Sequence, residues 1–262
     1  MKTQRTSAYC FAAAPYANSA PLAHFITTIS PTTRVVQDYH PSQMLHQLHN
    51  HSVDVALLPV AELLTHPELT MIAGLGVCAR TQVRSVLLKC KRPLEQVRRV
   101  ARDAASKTSN ALVNVLLKKY WQRAVEMVSP EAVATADAAV VIGDRALCAP
   151  PAPHRDYDLA EHWNRMTGLP FVFAVWALRR DHPDPQGLAQ IARAAHLAGI
   201  AALPELARLQ ARKLGLSEKL CQEYLLDCVY YDLGAQERQA MELFRELMAE
   251  SAVVPVEQGV SA

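Results

Sequence analysis

The chain has 262 residues, half of them apolar, and 27 basic against 25 acidic side chains leave a formal net charge of +2. That length exceeds the size at which a single core grows easily, so one large domain or two smaller ones are expected. Lys and Arg are spread along the chain without a basic patch or an acidic tail, which argues against nucleic acid as a partner.

Met1 to Thr6 carries Lys2 and Arg5 but runs into a mixed stretch with Pro15, Asn18 and Pro21. No cleavable leader is expected there, nor anywhere an apolar run of about 18 residues that could span a membrane, so the chain reads as cytoplasmic. Strands are predicted near 8–13, 53–58, 84–89, 97–102, 124–127, 138–142 and 171–178, with helical segments between them. Such alternation implies an α/β fold with a mainly parallel sheet. The segment TGLPFVFAVWALR, Thr167 to Arg179, is the most telling. Its continuous apolar run, with Phe171, Phe173 and Trp176, predicts a central strand covered on both faces. The polar segment before it places Leu159, Trp163 and Met166 at helical spacing, so a short surface helix should feed the strand through a Gly-Leu-Pro turn. Beyond Asp184 the pattern is helical only, at 185–214, 217–229 and 235–252, with Ser217 as an N-cap and Gly234 as a stop.

Breaks near 87–90 and 178–181 predict that the chain leaves one lobe, completes a second and returns. Lobe 1 is then 1–88 with 179–262, lobe 2 is 89–178, and a cleft between them is the natural ligand site. The C-terminal helices are expected to pack on lobe 1. The six cysteines lie far apart with no C-x-x-C pair, which fits reduced thiols better than disulfides or zinc. His46, His49 and His51 do not share one helical face and lack an adjacent carboxylate, so no metal is expected there.

Four segments carry side chains suited to binding. In YANSAPL, Asn18 and Ser19 open the first helix, where they cap it or meet a ligand. Arg84 and Ser85 begin a strand, where a guanidinium fork beside a hydroxyl suits a carboxylate, or the Arg pairs with an acid at the surface. Ser106, Thr108 and Ser109 stand at a helix start, where free N–H groups and hydroxyls suit an anion or simply cap the helix. VVIGDRAL ends an apolar strand in Gly143 and Asp144, the latter a base, an acceptor for a hydroxyl, or a cap.

Taken together, YANSAPL, VRSVLL, SKTSNALVNVLL, VVIGDRAL, YDLAEHWNRMTGLPFVFAVWALR and VYYDLG make the chain resemble the chorismate dehydratases of the futalosine route to menaquinone over nearly its whole length. The resemblance implies a two-lobed fold like that of type 2 periplasmic binding proteins, in a soluble enzyme without cofactor. It also implies dehydration of chorismate to 3-[(1-carboxyvinyl)oxy]benzoate, with Asn18 and Asp144 as candidate catalytic residues. Ser19, Arg84, Ser85, Ser106, Thr108, Ser109 and Gly143 are then candidates for binding the substrate, and a homodimer is compatible with the reading. Asn18 would orient and polarise, because an amide is not a strong base; the proton would go to Asp144, to water or to a substrate carboxylate. One departure stands out. Ala79-Arg80-Thr81-Gln82 replaces a segment that in the family reads close to S-x-G-P, which puts the cleft in question and keeps open a cytoplasmic binding protein without turnover.

Overall fold

The computed structural model describes residues 9–252. The expectations for Met1 to Thr6, and for a strand starting as early as residue 8, fall outside that range.

In chain order, β1 (Cys10–Ala13) leads through a 3-10 turn at Ala17–Ser19 into α1 (Ala20–Ala23) and α2 (Ile26–Ile29), followed by β2 (Arg34–Gln37), α3 (Pro41–His49), β3 (Val55–Pro59), α4 (Val60–Thr65) and the long β4 (Leu69–Ala79). Next come β5 (Val86–Cys90), β6 (Arg99–Ala101), α5 (Lys107–Val115) with a π-helical extension at Leu116–Tyr120, β7 (Glu126–Val128), β8 (Ala138–Ile142), α6 (Gly143–Cys148), β9 (Arg155–Asp158) and α7 (Leu159–Thr167). The chain closes with β10 (Phe171–Arg179), α8 (Pro185–Ala201), α9 (Leu203–Leu214), α10 (Glu218–Gln222), a π turn at Glu223–Cys228, β11 (Tyr230–Asp232) and α11 (Ala235–Ser251).

The strands form two sheets, one ordered β11-β4-β10-β3-β1-β2 and the other β7-β6-β8-β5-β9. As predicted, β10 is central and buried on both faces: Trp176 is fully enclosed and meets Phe11 edge to face at 5.3 Å. The helix before it is also as expected, with Asp158 capping α7 at one end and Gly168, at φ +72°, ending it at the other.

Several expectations are corrected. The sheets are mixed, not mainly parallel: β1·β2, β1·β3, β6·β7 and β6·β8 run parallel, but β10 runs antiparallel to both β3 and β4, and β5 to both β8 and β9. The reversal follows from the chain leaving the first sheet through β4 and re-entering it through β10. The boundaries expected at 88/89 and 178/179 cut through β5 and β10; the sheet changes instead at 80–85 and 168–170. Asp158, at the end of β9 and the cap of α7, ties the first of these crossings to the second sheet, its Oδ2 accepting the Val83 and Arg84 amides at 2.9 and 2.6 Å. The C-terminal part is not purely helical, since β11 adds to the edge of the first sheet. Pro204 opens α9, so the single helix expected at 185–214 is two. Gly234 precedes α11 as its N-cap residue and is not a helix stop. Ser217 caps α10 as expected, accepting the Leu220 amide. The C-terminal helices pack on the first sheet as expected, but α11 also reaches the second half of the molecule. While α8 packs against α1, α2 and β4, α11 packs against β10 and also against α5, where Asn114 and Lys118 both donate to the Ser251 carbonyl.

Candidate active site

A cavity of about 610 Å³, mouth included, opens between the two sheets. The first sheet and its connections contribute Ala14, Leu57, Pro59, Val77, Phe173 and Ala174, and β5, β8 and the turn after β8 contribute Val86, Ile142 and Gly143. Its polar groups are few: Tyr16, Asn18, Ser19, Ser106 and Ser109. No charged side chain is part of the lining among the described residues. A mostly apolar wall with a few placed donors is the usual make-up of a small-molecule site.

Asn18 and Ser19 arrive on the 3-10 turn after β1, one end of which is fixed by Pro21 in the first turn of α1. Neither side chain caps a helix. The only side-chain hydrogen bond between them is a long one, Ser19 Oγ to Asn18 Oδ1 at 3.4 Å. The Asn18 amide is therefore not committed to capping.

Ser106 is the N-cap of α5. Its Oγ accepts the Ser109 amide at 3.0 Å and donates to Ser109 Oγ at 2.9 Å. With the Ser106 proton so used, the Ser109 hydroxyl keeps its own proton to donate outward. The first-turn amides of Lys107 and Thr108 have no intrahelical acceptor, and the helix dipole adds to their pull on an anion.

Gly143 has φ +62°, and a side chain there would press on the Tyr16 ring at 3.0 Å. Glycine thus lets the turn after β8 lie against Tyr16. Burial, aided by the negative charge of Asp103, raises the Tyr16 phenol to about 12, so at neutral pH it is a donor and not a base.

The cavity brings together Asn18, Ser19, Ser106, Ser109 and Gly143 from the expected set, and leaves four residues out of its lining. Arg84 pairs with Glu223 at 2.8 Å. Ser85 is wholly buried and accepts the Tyr224 hydroxyl at 2.8 Å. Thr108 is buried too, its Oγ1 accepting the Ala61 amide at 2.9 Å and so tying α5 to the start of α4. Asp144 accepts the Ala17 amide at 2.8 Å, with Lys213 3.9 Å away. Burial raises its pKa against the pull of that amide. It neither caps α6 nor lines the cavity.

Sequence reasoning did not single out Tyr16 or Phe173 as lining, although both stand in segments it marked as informative. Ala79, Arg80, Thr81 and Gln82, the divergent segment, do not line the cavity either. Arg80 instead lies 4.5 Å over the ring of Tyr230, at the outer edge of the first sheet.

A family model described as menaquinone biosynthesis matches residues 10–250. The chain belongs to this family. It is 34% identical over 257 residues to a chorismate dehydratase of Thermus thermophilus, covering 89% of this chain and 92% of that protein. Among solved structures, a protein from Archaeoglobus fulgidus superposes with a TM-score of 0.75 at 16% identity, over 96% of this chain and all of that one. The alkanesulfonate-binding protein of Xanthomonas axonopodis, bound to MOPS, gives 0.67 at 18% identity over 95% and 94% of the two chains. These structural likenesses show the fold, which is that of the periplasmic binding proteins. In this family member no helix among the described residues is long and apolar enough to cross a membrane.

Proposed function

We propose that this chain is a chorismate dehydratase, a carbon–oxygen lyase of the cytoplasm that converts chorismate to 3-[(1-carboxyvinyl)oxy]benzoate. The observation that carries the reading is a cavity lined by both Asn18 and the Ser106–Ser109 helix start in a mostly apolar wall, in a chain one third identical to a protein of that name.

The reaction breaks a ring C–O bond and the neighbouring ring C–H bond. Hydroxide and proton leave together as water, and the electrons of the C–H bond complete an aromatic ring. No electron is gained or lost overall. The work left to the protein is to orient the ring and to stabilise the charge that develops on the departing oxygen.

Ser109 and the first-turn amides of α5 hold one carboxylate of the substrate, through a donated hydroxyl proton and the end of the helix dipole. Asn18, with Ser19 beside it, donates to the leaving hydroxyl or the enolpyruvyl group. The Arg84-Ser85 pair, expected to hold the second carboxylate, is engaged elsewhere. The one titratable side chain in the lining, Tyr16, is a poor base. With Asp144 turned to the Ala17 amide, the ring proton goes to water or to a carboxylate of the substrate itself.

The two sheets then act as lobes that close on the ligand, and light scattering settles whether the working form is a homodimer. The function is tested by incubating the purified protein with chorismate and following the loss of diene absorbance together with product mass. Catalytic formation of a product lighter by one water supports the dehydratase, whereas saturable binding without product makes the chain a binding protein.

A further inference from the structure

The segment between α10 and β11 is wound as a π turn, Glu223–Cys228, and such turns present successive side chains at angles an α-helix does not allow. Two adjacent residues of this turn bond two adjacent residues of the first crossing between the sheets. Glu223 pairs with Arg84, and Tyr224 donates to Ser85 Oγ at 2.8 Å. Arg84 has φ +59°, a left-handed conformation that a residue with a side chain keeps only where its surroundings hold it. Tyr224 and Ser85 are both completely buried, and neither lines the cavity.

Their neighbours do line it. The Ser85 carbonyl accepts the Gly143 amide at 2.7 Å, which fixes the glycine turn against Tyr16. Asn18 lies near the Tyr224 phenol and, after Ser85, opposes the burial that drives that phenol's pKa up; the hydrogen bond of the phenol itself goes to Ser85. One buried hydroxyl from the C-terminal part of the chain thus stands behind both walls of the cavity.

We propose that Tyr224 is a positioning residue for this site, holding Ser85 so that Gly143, and the Asn18 side chain beside the phenol, keep the places the reaction needs. This rests on reading the cavity as the place where chorismate is dehydrated. Tyr224 touches no substrate; it acts through its one hydrogen bond, to Ser85. The pairing of Glu223 with Arg84 holds the same π turn against the same crossing.

The test compares Tyr224→Phe with Tyr231→Phe. Tyr231 is also fully buried, but its hydroxyl has no hydrogen-bond partner among the described residues, so the control removes the same atom without breaking a bond. Two readouts are taken: kcat and KM on chorismate, and the side-chain amide resonances of Asn18, identified by their absence in Asn18→Ala. Tyr224→Phe is expected to lower kcat roughly ten- to a hundredfold, with KM changed less, and to move the Asn18 resonances. Tyr231→Phe should leave both unchanged. Ser85→Ala should lose as much as Tyr224→Phe, and the double variant no more than either, because both remove one hydrogen bond.

A Tyr224→Phe enzyme that melts earlier but keeps kcat and the Asn18 resonances would overturn the proposal, leaving Tyr224 as core packing. If Tyr224→Phe does not fold, Ser85→Ala breaks the bond from its other end and is judged by the same two readouts. If the unaltered protein does not convert chorismate, the functional reading fails, and the Asn18 resonances still decide the role of Tyr224.

Discussion

Asn18 stands on a turn that no side chain caps, which separates its two sequence readings: as a cap it would stabilise the fold, and as a donor in the cavity it serves the reaction. Asn18→Ala should therefore lower kcat about a hundredfold while shifting Tm by no more than about 2 °C. Loss of stability with turnover kept would return it to a structural role. Ser109 is different, because its hydroxyl meets a carboxylate that is present before and after the chemical step. For Ser109→Ala, KM should rise about tenfold with kcat less affected, the pattern of lost ground-state binding. Titration supplies a third check. Since the lining offers no group that ionises near neutrality, kcat should be flat between about pH 6 and 9. A limb in that range would point to a protein base that the cavity does not show. At this scale the sequence was informative about residue type and less so about direction. YANSAPL and SKTSNAL marked the two polar walls, but nothing in VRSVLL says that Ser85 faces inward to Tyr224, a partner 139 positions away.

At the scale of elements, the strongest constraints are close approaches of backbone. The helices α1 and α8 cross where Gly199 lies against Pro21, and a Cβ on Gly199 would fall 2.0 Å from the Pro21 carbonyl oxygen. Gly199→Ala should cost about 1–3 kcal/mol as overpacking and lower Tm by several degrees, read by thermal melting. An unchanged Tm would mean that the two helices separate easily. The turn carrying Asn18 continues directly into α1, so the same variant should also weaken activity at temperatures well below its melt. The elements that sequence reasoning missed share a physical cause. In β4, Gly74 and Gly76 interrupt the apolar run, and they do so because the strand carries bulges and because Gly76 comes so close to β10 that a Cβ would meet the Ala174 carbonyl at 2.6 Å. The sequence of β9, RDYD, has no apolar alternation, because this edge strand is held by β5 and by the Lys89–Asp156 pair. The three-residue β11 is held by its neighbour β4 and not by its own composition. The buried strands β3, β8 and β10, by contrast, announce themselves through continuous apolar runs.

Over the whole molecule, the two sheets are joined at the 80–85 and 168–170 crossings, the first of them tied to β9 by Asp158, and by α11 across β10 and α5. The second sheet carries an aromatic cluster in which His162 is packed among Tyr120, Trp121 and Tyr157, its Nδ1 buried without a partner. Burial lowers the His162 pKa below its ordinary 6.5. The unfolded chain then binds a proton that the folded one refuses, so His162 makes stability fall as pH drops through 6.5 and towards the lower folded value. Melting curves should show that fall, and His162→Gln should flatten it. An unchanged profile in the variant would shift the effect to other groups. The two-sheet architecture with a cleft was legible from the alternation of elements and the two breaks. The antiparallel return of β10 was not, because strand direction depends on where the chain re-enters the sheet. Within this frame the central claim is that chorismate loses water in the cavity between the sheets. The most direct test is a side-by-side incubation of the unaltered protein and Asn18→Ala with chorismate, resolved by product mass. The account predicts repeated turnover to a product one water lighter with the first, and at most a trace with the second at full binding of substrate. Equal rates for the two proteins, or no product from either, would contradict it.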